Sequence, residues 1–81
     1  MSKDKLPEKV REAIKNELPV TLGQKIRQIR TELGLSQTEL AEKIGNDRQY
    51  MSKIELGDVN ITVVKLAYIA EALQKDIKDF L

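Results

Sequence analysis

No cysteine and no histidine occur in the 81 residues. The first absence excludes disulfides and Cys-rich zinc sites. The second removes the usual general base and a common metal ligand. There is no Gly-rich phosphate loop and no metal-ligand spacing, and the carboxylates are scattered at helical surface positions. An enzyme, a cofactor and a bound metal are therefore not expected. No apolar run is long enough to span a bilayer, and the N-terminus lacks the apolar core of a signal peptide. The expectation is a soluble, cytoplasmic protein with no membrane partner. A strong charge of one sign is missing too: the net charge is +1. Residues 1–21 carry five basic and four acidic side chains, residues 22–57 six and five, residues 58–81 three and four. A nucleic-acid partner would thus need charge sorted in space, on one face, rather than along the chain.

The most informative stretch is Leu33 to Gly57, LGLSQTELAEKIGNDRQYMSKIELG. Ser36 followed three residues on by Glu39 is a capping box that opens a helix. Leu40, Ala41 and Ile44 give that helix an apolar stripe, and Gly45 ends it. Asp47 is placed to cap a second helix. Met51 and Ile54 form its buried side, with Tyr50 divided between core and surface, and Gly57 stops it. Arg48, Gln49, Ser52 and Lys53 face outward between these anchors. A short helix held from behind and showing long polar side chains in front is built to enter a DNA major groove. Arg48 can give two hydrogen bonds to guanine and Gln49 can pair with adenine, while Lys53, one turn on, reaches a guanine or a phosphate.

Around this unit the chain reads as helices throughout. Pro7 sits in the first turn of an N-terminal helix, where its missing N–H does no harm. Val10, Ile14 and Leu18 recur at intervals of four along it, and Pro19 is expected to end it. Thr21 is the expected cap of the next helix, Leu22 to Leu33, with Leu22, Ile26, Ile29 and Leu33 buried. Thr62 caps a helix from Val63 to Leu73 whose wide apolar face includes Val63, Leu66, Ala67, Ile69, Ala70 and Leu73. Asp76 caps a last short helix ending in Ile77, Phe80 and Leu81.

LGLSQTELAEKIG followed by YMSKIELG resembles the helix-turn-helix family of phage Cro and CI repressors, the XRE type. Ser36-Gln37, Leu40-Ala41, the Gly45 turn and the Ile54-Glu55-x-Gly57 ending fall in register together. The resemblance runs from about Leu22 to Leu81. It implies an all-α, five-helix, lambda-repressor-like DNA-binding domain over residues 22–81, with residues 1–21 forming an extension that carries an additional short helix. It further implies base reading by Arg48, Gln49 and Lys53 from a recognition helix at about Asp47–Leu56. Gln37 would contact a phosphate, and Thr38, Tyr50, Ser52, Asn60 and Thr62 are candidates for the DNA backbone. Arg30 and Glu55 would form a structural ion pair, and Ile77, Phe80 and Leu81 a two-fold dimer contact. Asn46, Leu56 and Asp58 depart from the family pattern, which more often has a small apolar, a polar and a basic residue there.

Two functions from different classes follow. The first is a sequence-specific transcriptional regulator, a repressor, that binds double-stranded DNA as a homodimer at a near-palindromic operator. The second is an antitoxin or other protein-binding module that also binds its own promoter. There the Leu6–Leu18 helix is the segment for a protein partner. That helix either packs its stripe on its own domain, the reading favoured by the sequence, or on another molecule.

Overall fold

The computed structural model describes residues 5–81, which are helical with short connections and contain no strand. The elements are α1 (Glu8–Glu12), a π-helical turn (Ala13–Glu17), α2 (Leu18–Glu32), α3 (Gln37–Lys43), α4 (Arg48–Leu56), α5 (Val63–Ala72) and a 3-10 turn (Ile77–Phe80). None of the helices is long and apolar enough among the described residues to cross a membrane.

Pro19 does not end the N-terminal helix. The backbone stays right-handed helical from α1 through the π turn into α2, with Pro19 in the first turn of α2. Proline inside a helix removes a donor and pushes its ring against the carbonyl four residues back. A π turn directly before it, bonding i→i+5, changes which carbonyls need partners and gives the ring room. Thr21 accordingly lies inside α2 and caps nothing. The continuous helical path from Glu8 to Glu32 is about 37 Å long at 1.5 Å per residue. It accounts for the molecule's 42 × 23 × 23 Å extents. Its first part is an arm: α1 and the π turn contain no buried residue. Val10, Ile14 and Leu18 remain 42%, 49% and 60% exposed. The stripe is therefore not packed on its own domain, contrary to the favoured sequence reading.

The core is made where α2, α3, α4 and α5 meet. Ile26, Ile29, Leu40, Ala41, Met51, Ile54, Leu66, Ile69 and Leu73 bury together. Leu22, Ile44, Val59, Ile61, Ile77 and Phe80 pack around them. Leu33 lies at the C-terminal end of α2 and stays exposed, as do Val63 and Ala67 on the far side of α5, so the buried faces are narrower than the apolar periodicity implied. Gly23, buried in the middle of α2, sets the approach of α2 to α4. A Cβ there would fall on the carbonyl oxygens of Ile54 and Glu55, so only glycine lets the two helices come this close.

Candidate nucleic-acid interface

Local chemistry fixes both helices of the central unit. The Ser36 hydroxyl accepts from the Glu39 N–H at 3.0 Å, and the Ser36 N–H donates to Glu39 Oε1 at 2.8 Å. The Ser36 N–H, and after it the Ser36 side chain, hold the Glu39 carboxyl below the usual glutamate range. Gly45 turns the chain at φ 71°. Asn46 fits the turn despite its departure from the pattern: its N–H donates to the Ala41 carbonyl at 2.9 Å and its side-chain amide to the Ile44 carbonyl at 3.3 Å. Asp47 Oδ1 then accepts from the Tyr50 N–H at 2.8 Å and starts α4. Gly57, left-handed at φ 79°, ends it.

The rear of α4 is anchored twice. Met51 and Ile54 enter the core. Glu55, equally buried, meets Arg30 of α2: Nε donates to Oε2 at 2.6 Å and Nη2 to Oε1 at 3.0 Å. Arg30 Nη1 also donates to the Leu35 carbonyl at 2.7 Å, and the Gln37 side-chain amide donates to Glu55 Oε1 at 3.0 Å. One carboxylate thus joins the end of α2, the α2–α3 turn, the start of α3 and α4. Among the described residues no buried side-chain polar atom lacks a partner, which is the condition for such a network to be rigid.

The front of α4 is the candidate interface. Arg48, Gln49 and Lys53 are exposed and Ser52 is half-exposed. At 3.6 residues per turn, Gln49, Ser52, Lys53 and Leu56 share the face opposite Met51 and Ile54, with Arg48 at its leading end. Leu56 is 59% exposed, so this face ends in an apolar spot. Thr38 and Asn60 are exposed. Gln37 is half-buried and spends one amide hydrogen on Glu55, leaving the other available. The exposed Thr62 accepts from the Lys65 N–H at 3.0 Å as the cap of α5, which leaves its hydroxyl hydrogen to donate. Tyr50 is half-buried against the core with the Lys65 ammonium 5.6 Å from its ring centre. Ile77 and Phe80, also half-buried, hold the C-terminal turn on the core, whereas Leu81 is 84% exposed. Two elements of this arrangement were not anticipated from sequence: the Leu35 carbonyl as a third partner of Arg30, and Gly23 as the contact point under α4. A glycine inside an otherwise regular helix was the available signal for the second.

The helix-turn-helix family model matches residues 26–80. Control protein C.BamHI of Bacillus amyloliquefaciens is 38% identical over 69 residues, covering 80% of this chain and 85% of the relative. An HTH-type transcriptional regulator of Rickettsia prowazekii (strain Madrid E), RP497, is 42% identical over 59 residues, or 73% of this chain. The match spans only 45% of that relative's own length. Among solved structures, the restriction–modification controller protein C.AhdI from Aeromonas hydrophila superposes with a TM-score of 0.75 at 37% identity. That match covers 80% of this chain and 93% of C.AhdI. With the capped helix pair, its glycine turn and the outward polar face of α4, these likenesses place the chain in the Cro/CI-type (XRE) helix-turn-helix family of DNA-binding proteins.

Proposed function

We propose that this chain is a sequence-specific transcriptional repressor that binds a near-palindromic operator as a homodimer, with α4 in the major groove. The observation that carries the reading is the contrast between the two sides of α4. Its back is locked by Met51, Ile54 and the Glu55 network, and its front presents Arg48, Gln49, Ser52 and Lys53. Arg48 reads a guanine through O6 and N7, Gln49 an adenine through N6 and N7, and Lys53 a guanine or phosphate one turn along. Gln37, with its remaining amide hydrogen, donates to a phosphate. Thr38, Tyr50, Ser52, Asn60 and Thr62 contact the backbone beside it, which sets register rather than sequence.

A homodimer follows from the size of the reading surface. One short helix covers only a few base pairs, and two copies placed about 34 Å apart read successive turns of the same groove. The surface proposed for the second copy combines Leu81 with the outward side of α5, where Val64 and Tyr68 are 65% and 61% exposed. Ile77 and Phe80 fix this surface from beneath. Binding site selection from a random duplex library at near-physiological salt tests the reading. A palindromic consensus with half-sites one helical turn apart is the expected result, and no enrichment by the folded protein refutes it.

The antitoxin-like alternative keeps one supporting observation, the exposed apolar stripe of the arm from Leu6 to Leu18. A protein partner there is compatible with DNA binding by α4.

A further inference from the structure

The two flanks of α4 are held by different neighbours. At 3.6 residues per turn, Tyr50 lies about 100° round the helix from Gln49 in one direction, and Glu55 about 120° in the other. The Glu55 flank meets α3, where the Gln37 amide donates to Oε1 at 3.0 Å. The Tyr50 flank meets α5, whose Lys65 ammonium stands 5.6 Å from the centre of the Tyr50 ring. A helix about 10–12 Å across with its side chains fills a major groove about 12 Å wide. Its front then faces base edges, and its flanks face the phosphate rows that wall the groove.

A cation is out of place at Lys65 by the chain's own chemistry. Lys65 is the third residue of α5, in the first turn, where the helix dipole disfavours positive charge. That turn contains no acidic residue, and among the described residues no carboxylate pairs with Lys65. Nor is it a fully solvated surface charge, because its side chain is half-buried and crosses to the ring on α4.

We propose that Lys65 is a ligand for a DNA phosphate and that the Tyr50 ring is its support. The proposal rests on α4 entering the major groove. Gln37 then serves the phosphate row on the Glu55 flank, and Lys65 serves the row on the Tyr50 flank. The ring takes one side of the ammonium, and the N–H groups turned away from it donate to a phosphate oxygen. Tyr50 acts twice, its hydroxyl as a backbone contact and its ring as the positioning group for Lys65. A lysine already held over a ring loses less freedom on binding than one that swings in solvent. The contact adds positive charge to the DNA side of a chain whose net charge is only +1, and it adds no sequence preference.

The test is a salt series with the full-length protein and a mixed-sequence duplex, read by fluorescence anisotropy. Each neutralised phosphate adds about 0.9 to the slope of log affinity against log salt. Lys65→Met should lower that slope by about 0.9 for each bound chain, so the parent's advantage shrinks by about 3.5-fold per chain between about 50 and 200 mM salt. Lys65→Arg keeps the charge and the stacking and should restore the parent slope. Site selection with Lys65→Met should return the parent's consensus. Tyr50→Phe keeps the ring and Tyr50→Leu removes it, with circular dichroism to show that both are folded. Lys65→Met should cost the same fold-change in the Tyr50→Phe background as in the parent, and less than half of it in the Tyr50→Leu background. An unchanged slope in Lys65→Met, a shifted consensus, or an equal cost in the two Tyr50 backgrounds would each overturn the proposal. Parent binding without any consensus would refute sequence reading alone, because the slope on the mixed duplex still decides the role of Lys65. No duplex binding by the folded parent would refute both.

Discussion

Arg30 and Glu55, 25 residues apart in sequence, meet through two hydrogen bonds in the buried interior and leave no charge unpaired. The pair is costly to assemble, because both ions leave water, and its value lies in what it positions. Glu55 Oε1 also takes the Gln37 amide, so the orientation of α4 and of the first residue of α3 are set by the same carboxylate.

Removing one partner should therefore be far worse than removing both. Glu55→Ala is expected to cost about 3–5 kcal/mol, since it strands the Arg30 guanidinium. Arg30→Met with Glu55→Leu should lie much closer to the parent. Urea unfolding followed by circular dichroism measures both, and equal losses would show that the pair is not acting as a unit.

Gly23→Ala tests the α2–α4 approach. The added methyl would fall on the Ile54 and Glu55 carbonyls, and backbone oxygens cannot rotate away as a side chain can. A loss of about 1–3 kcal/mol or more is expected, although alanine is normally the better helix former. A stabilised variant in the same urea assay would show that the helices are not in contact there.

Gln74 supplies the opposite case. It follows α5 at φ 60°, in a left-handed conformation that costs a side chain about 1–2 kcal/mol. The bond from the Lys75 N–H to the Ala70 carbonyl at 2.9 Å closes the turn around it. Gln74→Gly should raise stability by about 1 kcal/mol, read as a higher urea midpoint with an unchanged slope. No change would mean that the turn is not held in this form.

The capping box gives a pH dependence. Folding lowers the Glu39 carboxyl below its ordinary value of 4.5, so the folded state favours the ionised form. Its contribution is present above pH 4.5 and is lost as pH falls through the lowered folded value. The stability difference between the parent and Glu39→Gln should shrink across that acid window and stay constant above it. A difference that grows on acidification would contradict the assignment.

The helix-turn-helix was legible because its signals are local. Ser36 with Glu39, Gly45, Asp47 and Gly57 each act within one turn of chain, and each does in the structure what its residue type implies. The remainder depends on distance or on backbone strain. Pro19 reads as a stop because a π turn has no residue pattern that announces it. Leu33, Val63 and Ala67 match helical periodicity yet lie exposed, because spacing gives the direction of an apolar face and not the extent of what covers it. The same limit applies to the arm, whose stripe was visible while the exposure of Val10, Ile14 and Leu18 was not.

The central claim is that α4 reads base edges through its outward face, and Arg48 tests it most directly. Site selection from one random duplex library, carried out in parallel with the parent and with Arg48→Ala, compares the two consensus sequences. The account predicts that preference relaxes at one base pair in each half-site, by about 1–3 kcal/mol of discrimination, while the other positions and the half-site spacing stay as they were. An unchanged consensus with uniformly weaker binding would contradict it, because Arg48 would then be holding a phosphate and reading no base.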